Sequence, residues 1–250
     1  MIELRGVRKR FGRHVVLDGV DFVVEEGQTV ALLGPSGTGK SVLLKHIIGL
    51  LTPDSGEVLV DGLSVASLDR KALAGLRQRI GYAFQTGALF DSESVFENIR
   101  LGISDEACSR DLDFCRQRVA ECLRLVNLPE DVARLMPIQL SGGMRKRVGI
   151  ARAIAGSPKY LLYDEPTSGL DPVNADVMDG LIENLQRELH TTSVVVSHDV
   201  RGSFRVADRI ALLHQGRIRA VGTPEEFMAA KDVVVQEFLE RDFQVAALEP

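Results

Sequence analysis

The chain has 250 residues, 45% hydrophobic and 26% charged, with a net charge of −5, enough for one large domain or two small ones with ample core. That balance excludes an overall basic field for nucleic acid or anionic lipid, and the short runs Arg8–Arg10 and Arg145–Arg147 read as solvated faces or phosphate neighbours. No stretch approaches the roughly 18 to 20 unbroken apolar residues of a membrane span, and the N-terminal MIELRGV lacks a secretory core, so the expectation is a cytoplasmic chain whose membrane role requires a separate partner.

Residues 1–28 alternate apolar and polar (Ile2, Leu4, then Val20, Phe22, Val24), as short antiparallel strands do. Thr29–Leu33 is an apolar run leading into a Gly-rich loop, and Ser41–Leu51 has helical character. Alternation returns over Gly56–Val65 around Asp61-Gly62, a hairpin signal. Ile80–Phe84 is strand-like, and from Ser94, where Ser94 and Glu97 predict a capping box, the pattern is helical to about Ala155. Cys108, Cys115 and Cys122 recur every seven residues without a Cys-x-x-Cys pair, which predicts a core-facing stripe of one helix and, weakly, a reducing compartment. Tyr160–Tyr163 and Ser193–Val196 read as strands buried on both faces of a mainly parallel sheet. Asp171-Pro172 caps a helix to about Leu189, Ile210–His214 and Ile218–Val221 form a last hairpin, and Thr223 to Glu226 opens a C-terminal helix with a capping box. The tail from Ala246 carries no signal, and no repeat or flexible linker interrupts the chain.

Three motifs carry chemistry. Gly34-Pro35-Ser36-Gly37-Thr38-Gly39-Lys40-Ser41 fits G-x-x-x-x-G-K-[ST] between a strand and a helix. Glycines there let backbone N–H groups converge on phosphate oxygens, the helix offers its positive end, Lys40 meets the β- and γ-phosphates, and Ser41 ligates Mg²⁺. Asp164 and Glu165 end a buried strand, where α/β sheets place ligands; Asp164 suits a water-mediated Mg²⁺ position and Glu165 the polarisation of an attacking water. Ser141-Gly142-Gly143 begins another helix and makes a second anion site. One chain has no use for two such sites on one triphosphate, whereas two chains facing head to tail use both. His198, ending another buried strand, points to a γ-phosphate contact. Gln85 reaches either Mg²⁺ or the lytic water, and Phe11 either stacks on adenine or packs in the core.

Together these residues resemble the nucleotide-binding subunits of ABC transporters over nearly the whole chain. Walker A corresponds to Gly34–Ser41, the Q-loop to Gln85, the signature to Leu140–Met144, and Walker B to Tyr160–Asp164 with Glu165 as the base. Ser168–Asp171 corresponds to the D-loop, His198 to the switch histidine, and Phe11 to the A-loop, where Tyr is commoner. The resemblance implies an α/β fold: a P-loop NTPase (RecA-like) core with a mainly parallel sheet, an N-terminal antiparallel β-subdomain and an inserted α-helical subdomain. One domain, 1–250, would then comprise a core (1–87 and 158–222), a helical signature subdomain (88–157) and a C-terminal helix and tail (223–250). It also implies hydrolysis of ATP to ADP and phosphate with Mg²⁺ in a homodimer, each nucleotide touching Lys40 and Ser41 of one chain and Ser141 and Gly143 of the other, with Gly142 and the D-loop Asp171 also among the nucleotide-binding residues.

Met144 departs from the usual LSGGQ. With QTGALFDSESVFENI and LSGGMRKRV, that departure is similar to the ATPases of MCE-domain, Mla-type lipid transport systems. This implies a permease docking near Gly87, Ala88, Leu89 and Phe90, an MCE-domain lipid-binding protein in the same complex, no nucleic-acid partner, and a place on the cytoplasmic face of the inner membrane. The alternatives are a soluble ABC-type ATPase of DNA repair or translation, or an importer ATPase for a small polar solute. The long coiled coil, zinc cysteines or second cassette typical of the repair and translation proteins are missing from the chain.

Overall fold

A computed structural model describes residues 1–248, with side chains to residue 240; Glu249 and Pro250 of the expected tail lie outside the described residues. In chain order, β1 (Ile2–Phe11), β2 (His14–Val24) and β3 (Thr29–Leu33) precede α1 (Lys40–Ile47), β4 (Ser55–Val60), β5 (Leu63–Ser64), α2 (Arg70–Gln78) and β6 (Ile80–Ala83). Four helices follow: α3 (Val95–Arg100), α4 (Asp105–Arg110), α5 (Leu112–Leu125) and α6 (Gly142–Ile154). Then come β7 (Tyr160–Asp164), α7 (Pro172–Leu189), β8 (Thr192–Ser197), α8 (Val200–Val206), β9 (Arg209–His214), β10 (Arg217–Gly222), α9 (Pro224–Met228) and α10 (Val233–Leu248). These elements fall into two compact units, Met1–Ala74 with the residues from Thr192 onward, and Gly75–Thr191.

In the first unit, β1 pairs antiparallel with both β2 and β4, in registers that align Ile2 with Val24 and with Val60. Period-2 alternation buries Ile2, Leu4, Val20, Phe22 and Val24 on one face of this sheet. Asp61 and Gly62 both have positive φ, 51° and 76°, the backbone of a two-residue hairpin joining β4 to β5. A second layer runs β3 parallel to β8 and to β9, with β10 antiparallel to β9. Every residue of β3 and β8 is buried, which explains the apolar runs Val30–Leu33 and Val194–Val196 within them. Against this sheet pack Val200, Phe227, Val235 and Leu239 from the following helices; a fully buried side chain of this size contributes about 1.5–3 kcal/mol.

In the second unit, β6 and β7 pair in parallel, Ile80 with Tyr160 and Ala83 with Tyr163. Helices α3 to α6 make a helical block, and α7 starts on Asp171, whose carboxylate accepts from Asn174 N at 3.1 Å ahead of Pro172. The capping box at Thr223 and Glu226 of α9 forms in full.

Two expectations need correction. Ser94 Oγ accepts from Glu97 N at 3.2 Å, but the Glu97 carboxylate pairs with Arg100 at 2.6 Å, an i,i+3 partner on its own helix, so only half of that capping box is recorded. The three cysteines do not share one helix. Asp111, with extended backbone, ends α4 and caps α5 by accepting from the Asp113 and Phe114 amides, so Cys108 lies on α4 while Cys115 and Cys122 lie on α5. All three are buried, as a core stripe requires, yet Cys108 and Cys115 meet across that break, Cα to Cα 5.1 Å, and form a disulfide. Only Cys122 is a free thiol, and burial pushes its pKa up to about 11.

Candidate active site

The first unit carries the Gly-rich loop Gly34–Ser41. β3 delivers the chain to Gly34, where a Cβ would stand 2.4 Å from the Leu213 carbonyl oxygen, so only glycine fits. Gly39 caps α1 in the left-handed region (φ 104°), with a would-be Cβ 2.8 Å from Val16 Cγ1. Pro35, Ser36 and Gly37 are exposed at the loop tip, while Thr38 Oγ1 donates to Pro35 O at 2.8 Å and stiffens it. Lys40 is buried, and its Nζ donates to Gly34 O at 2.6 Å and Pro35 O at 3.2 Å, which keeps the ammonium inside the loop it serves. Ser41 follows in the first turn of α1, a turn with no acidic residue of its own to offset the positive end of the helix.

His198 leaves β8 level with the point where the loop leaves β3, because Leu33 and Ser197 are register partners in adjacent parallel strands. The histidine is exposed, and behind it the Asp199 carboxylate caps α8 by accepting from Gly202 N. Phe11 ends β1 with 48% of its surface exposed, so its ring is no core residue; Lys9 Nζ lies 5.7 Å from the ring centroid. Lys9 itself is not a solvated charge: it donates to Thr52 O at 2.8 Å and to Asp54 at 2.9 Å.

The second unit holds the acids. The register of β6 with β7 brings Gln85 and the Asp164–Glu165 pair out at the same edge. Asp164 and Glu165 are 8% and 9% exposed, too buried for a solvated surface pair. Gln85 is exposed and its Nε2 donates to Ser168 Oγ at 3.3 Å. Two contacts here have no counterpart in the motif reading. Tyr82 Oη donates to Asp164 Oδ2 at 2.9 Å, and burial with the neighbouring carboxylate holds that phenol well above its ordinary pKa. Lys146, from the supposedly solvated basic run, is half-buried and donates to the Glu165, Pro166 and Ser168 carbonyls.

The signature stretch opens α6. Ser141 is the N-cap, its Oγ accepting from Met144 N at 3.2 Å, and Ser141 and Gly142 are exposed with no acidic residue in the first turn. Gly143 approaches Leu170 and Asn174, either side of Asp171. Asp171 is exposed, and the Asn174 side chain and amide hold its carboxyl below the usual range. Near the expected docking segment, Phe90 is 58% exposed, and its N–H and C=O are both bound by the buried Asn98 carboxamide. No described helix is long and apolar enough to cross a membrane.

Residues 17–168 match the model of the ABC transporter family. The chain is 38% identical to the intermembrane phospholipid transport system ATP-binding protein MlaF of Haemophilus influenzae, over 96% of this chain and 90% of that one. It is 42% identical to the sulfate/thiosulfate import ATP-binding protein CysA of Bradyrhizobium diazoefficiens, over 90% of this chain and 64% of that one. Among solved structures it is similar to a dimeric post-hydrolysis state of the ATP-binding cassette MJ0796 bound to ADP and Pi, with a TM-score of 0.78, 34% identity, and coverage of 90% of this chain and 99% of that one.

Proposed function

The chain belongs to the ABC transporter family as an ATP-binding, ATP-hydrolysing subunit, and on that premise we propose that it powers a separate permease moving phospholipid or another hydrophobic lipid. What carries this reading is a likeness that runs the length of both chains: MlaF is matched over 90% of itself, whereas CysA, though more identical, is matched over 64%. Met144 in the signature and the stretch from Gln85 to Ile99 agree with it. The CysA identity supports a second reading, an importer of a small anion.

In this mechanism Lys40, the loop amides and the α1 N-terminus bind the ATP phosphates of their own chain. Ser41, Gln85 and Asp164 are hard oxygen donors of the kind Mg²⁺ takes beside phosphates and water. When bound, Mg²⁺ neutralises charge developing on the transferred phosphoryl group. Glu165 takes a proton from the attacking water, while His198 holds the γ-phosphate. Ser141 and Gly143 of a second copy complete the site with another helix N-terminus, so ATP joins two positive surfaces that separate once the γ-phosphate leaves. Phe11, half exposed at the end of β1, offers its ring to adenine. Residues 88–157 act as the helical signature subdomain, and Gly87 to Phe90 receive the permease on the cytoplasmic face of the inner membrane, with an MCE-domain protein in the complex.

The test is a pull-down from detergent-solubilised membranes, with co-purifying subunits and bound lipid identified by mass spectrometry. An MCE-domain subunit and phospholipid are expected. A periplasmic anion-binding protein without lipid would instead establish the importer reading.

A further inference from the structure

We propose that Lys146 is a positioning residue for hydrolysis, fixing the backbone that carries Glu165 and tying it to the signature helix. Lys146 stands on α6, and its ammonium donates to three carbonyls of one short segment: Glu165 O at 3.2 Å, Pro166 O at 3.0 Å and Ser168 O at 2.6 Å. An ammonium has three N–H donors and no acceptor, so this segment uses its full capacity. Despite its place in a basic run beside the signature, Lys146 is thereby committed to backbone and not to phosphate. The segment needs such a clamp. Glu165 has φ 52°, a left-handed conformation that residues with a side chain rarely adopt and that persists only where surroundings enforce it. Three carbonyls converging on one point also repel one another, and a cation between them removes that repulsion. Burial lowers the Lys146 pKa while the Glu165 charge opposes the fall, as expected for an ammonium held beside that acid.

The same helix grips a second segment. Arg152 donates to Gly87 O and Ala88 O, both at 2.8 Å, and Gly149 lies so close to Gly87 that a Cβ would stand 2.8 Å from its Cα. One helix thus holds the Glu165 backbone through Lys146 and the proposed docking segment through Arg152. A shift of α6 would reach the base through Lys146, a contact made by packed polar groups and not by proximity alone.

This inference rests on the reading of Glu165 as the base, and steady-state ATPase assays of the full chain separate the two. Lys146→Met keeps the apolar stem and removes the donors. It is expected to lower kcat by about 10- to 100-fold, the effect of misplacing a reacting group by about an ångström, while KM for ATP stays within about twofold. Lys146→Arg, whose fork can serve the same carbonyls, is expected to recover most of that loss. If Lys146→Met does not fold by circular dichroism, Lys146→Gln, with two amide donors, replaces it under the same criteria. Unchanged kcat, an equal loss of ATP affinity, or Arg no better than Met would each overturn the proposal. Glu165→Gln is assayed in parallel: normal turnover there removes the base reading and this inference with it, whereas an inactive Glu165→Gln beside normal Lys146 variants removes the positioning role alone.

Discussion

Gly149→Ala sets two opposed effects against each other. In a helix interior Ala is favoured over Gly by about 1 kcal/mol, so an unobstructed site would gain stability. At Gly149, however, the new Cβ would meet Gly87 Cα at 2.8 Å and Gly87 O at 3.0 Å, which are backbone atoms. Gly87 has no room to retreat: its own would-be Cβ position lies 2.6 Å from Arg145 O, and its carbonyl is held by Arg152. Forced overpacking of this kind costs about 1–3 kcal/mol, and the pinned neighbour argues for the upper end. The net expectation is a loss of about 2 kcal/mol, or a fall in Tm of about 4–8 °C for a chain of this size. Differential scanning calorimetry of the nucleotide-free protein measures it. Gly75→Ala in α2, where nothing lies within 4 Å of the new Cβ, is the control and is expected to match or exceed the parent. A Gly149→Ala melt at or above the parent would refute the close-packing argument.

Other outcomes follow from the site and the cysteines. Glu165→Gln is expected to bind ATP normally, hydrolyse it slowly and accumulate as a closed dimer on size-exclusion chromatography with ATP; rapid turnover would remove Glu165 as the base. Lys40→Ala, which deletes the charge lodged in the phosphate loop, is expected to lose nucleotide binding and hydrolysis together, measured by calorimetric titration and phosphate release. Protein purified without reductant is expected to show one reactive thiol per chain in denaturant and almost none when native, and three in either titration would contradict the disulfide. Because burial raises the Cys122 pKa to about 11, little thiolate exists at pH 8, and native alkylation should accelerate as pH rises towards that value. Reducing the bridge, whose cysteines are 7 residues apart, is expected to cost about 2.5 kcal/mol by loop-closure entropy.

Much of the candidate site's framework was legible because its motifs occupy short stretches of chain whose backbone demands show in the sequence. Gly34 and Gly39 occupy positions where a side chain would collide, and Asp164 and His198 lie just beyond the apolar runs Tyr160–Tyr163 and Val194–Val196, which mark strands buried on both faces. Parallel pairing then aligns strand ends, so Leu33 opposite Ser197 brings two motifs to one edge. What pattern could not give were contacts set by which elements lie side by side. Tyr82 looks like any aromatic strand residue until β6 lies beside β7 and its hydroxyl meets Asp164. Lys146 looks solvated in a basic run until its helix packs against the loop after β7. The cysteine spacing misled because it assumed an unbroken helix. Asp111 ahead of Asp113 and Phe114 was the available warning, since an Asp that caps the amides beyond it starts a new helix.

The most direct measurement is ATP turnover per chain as a function of protein concentration, with association followed by analytical ultracentrifugation under the same conditions. A site completed by Ser141 and Gly143 of a second copy gives a rate that rises with concentration and levels off as dimers saturate. A rate that stays constant down to concentrations where the ATP-bound chain sediments as a monomer would contradict it.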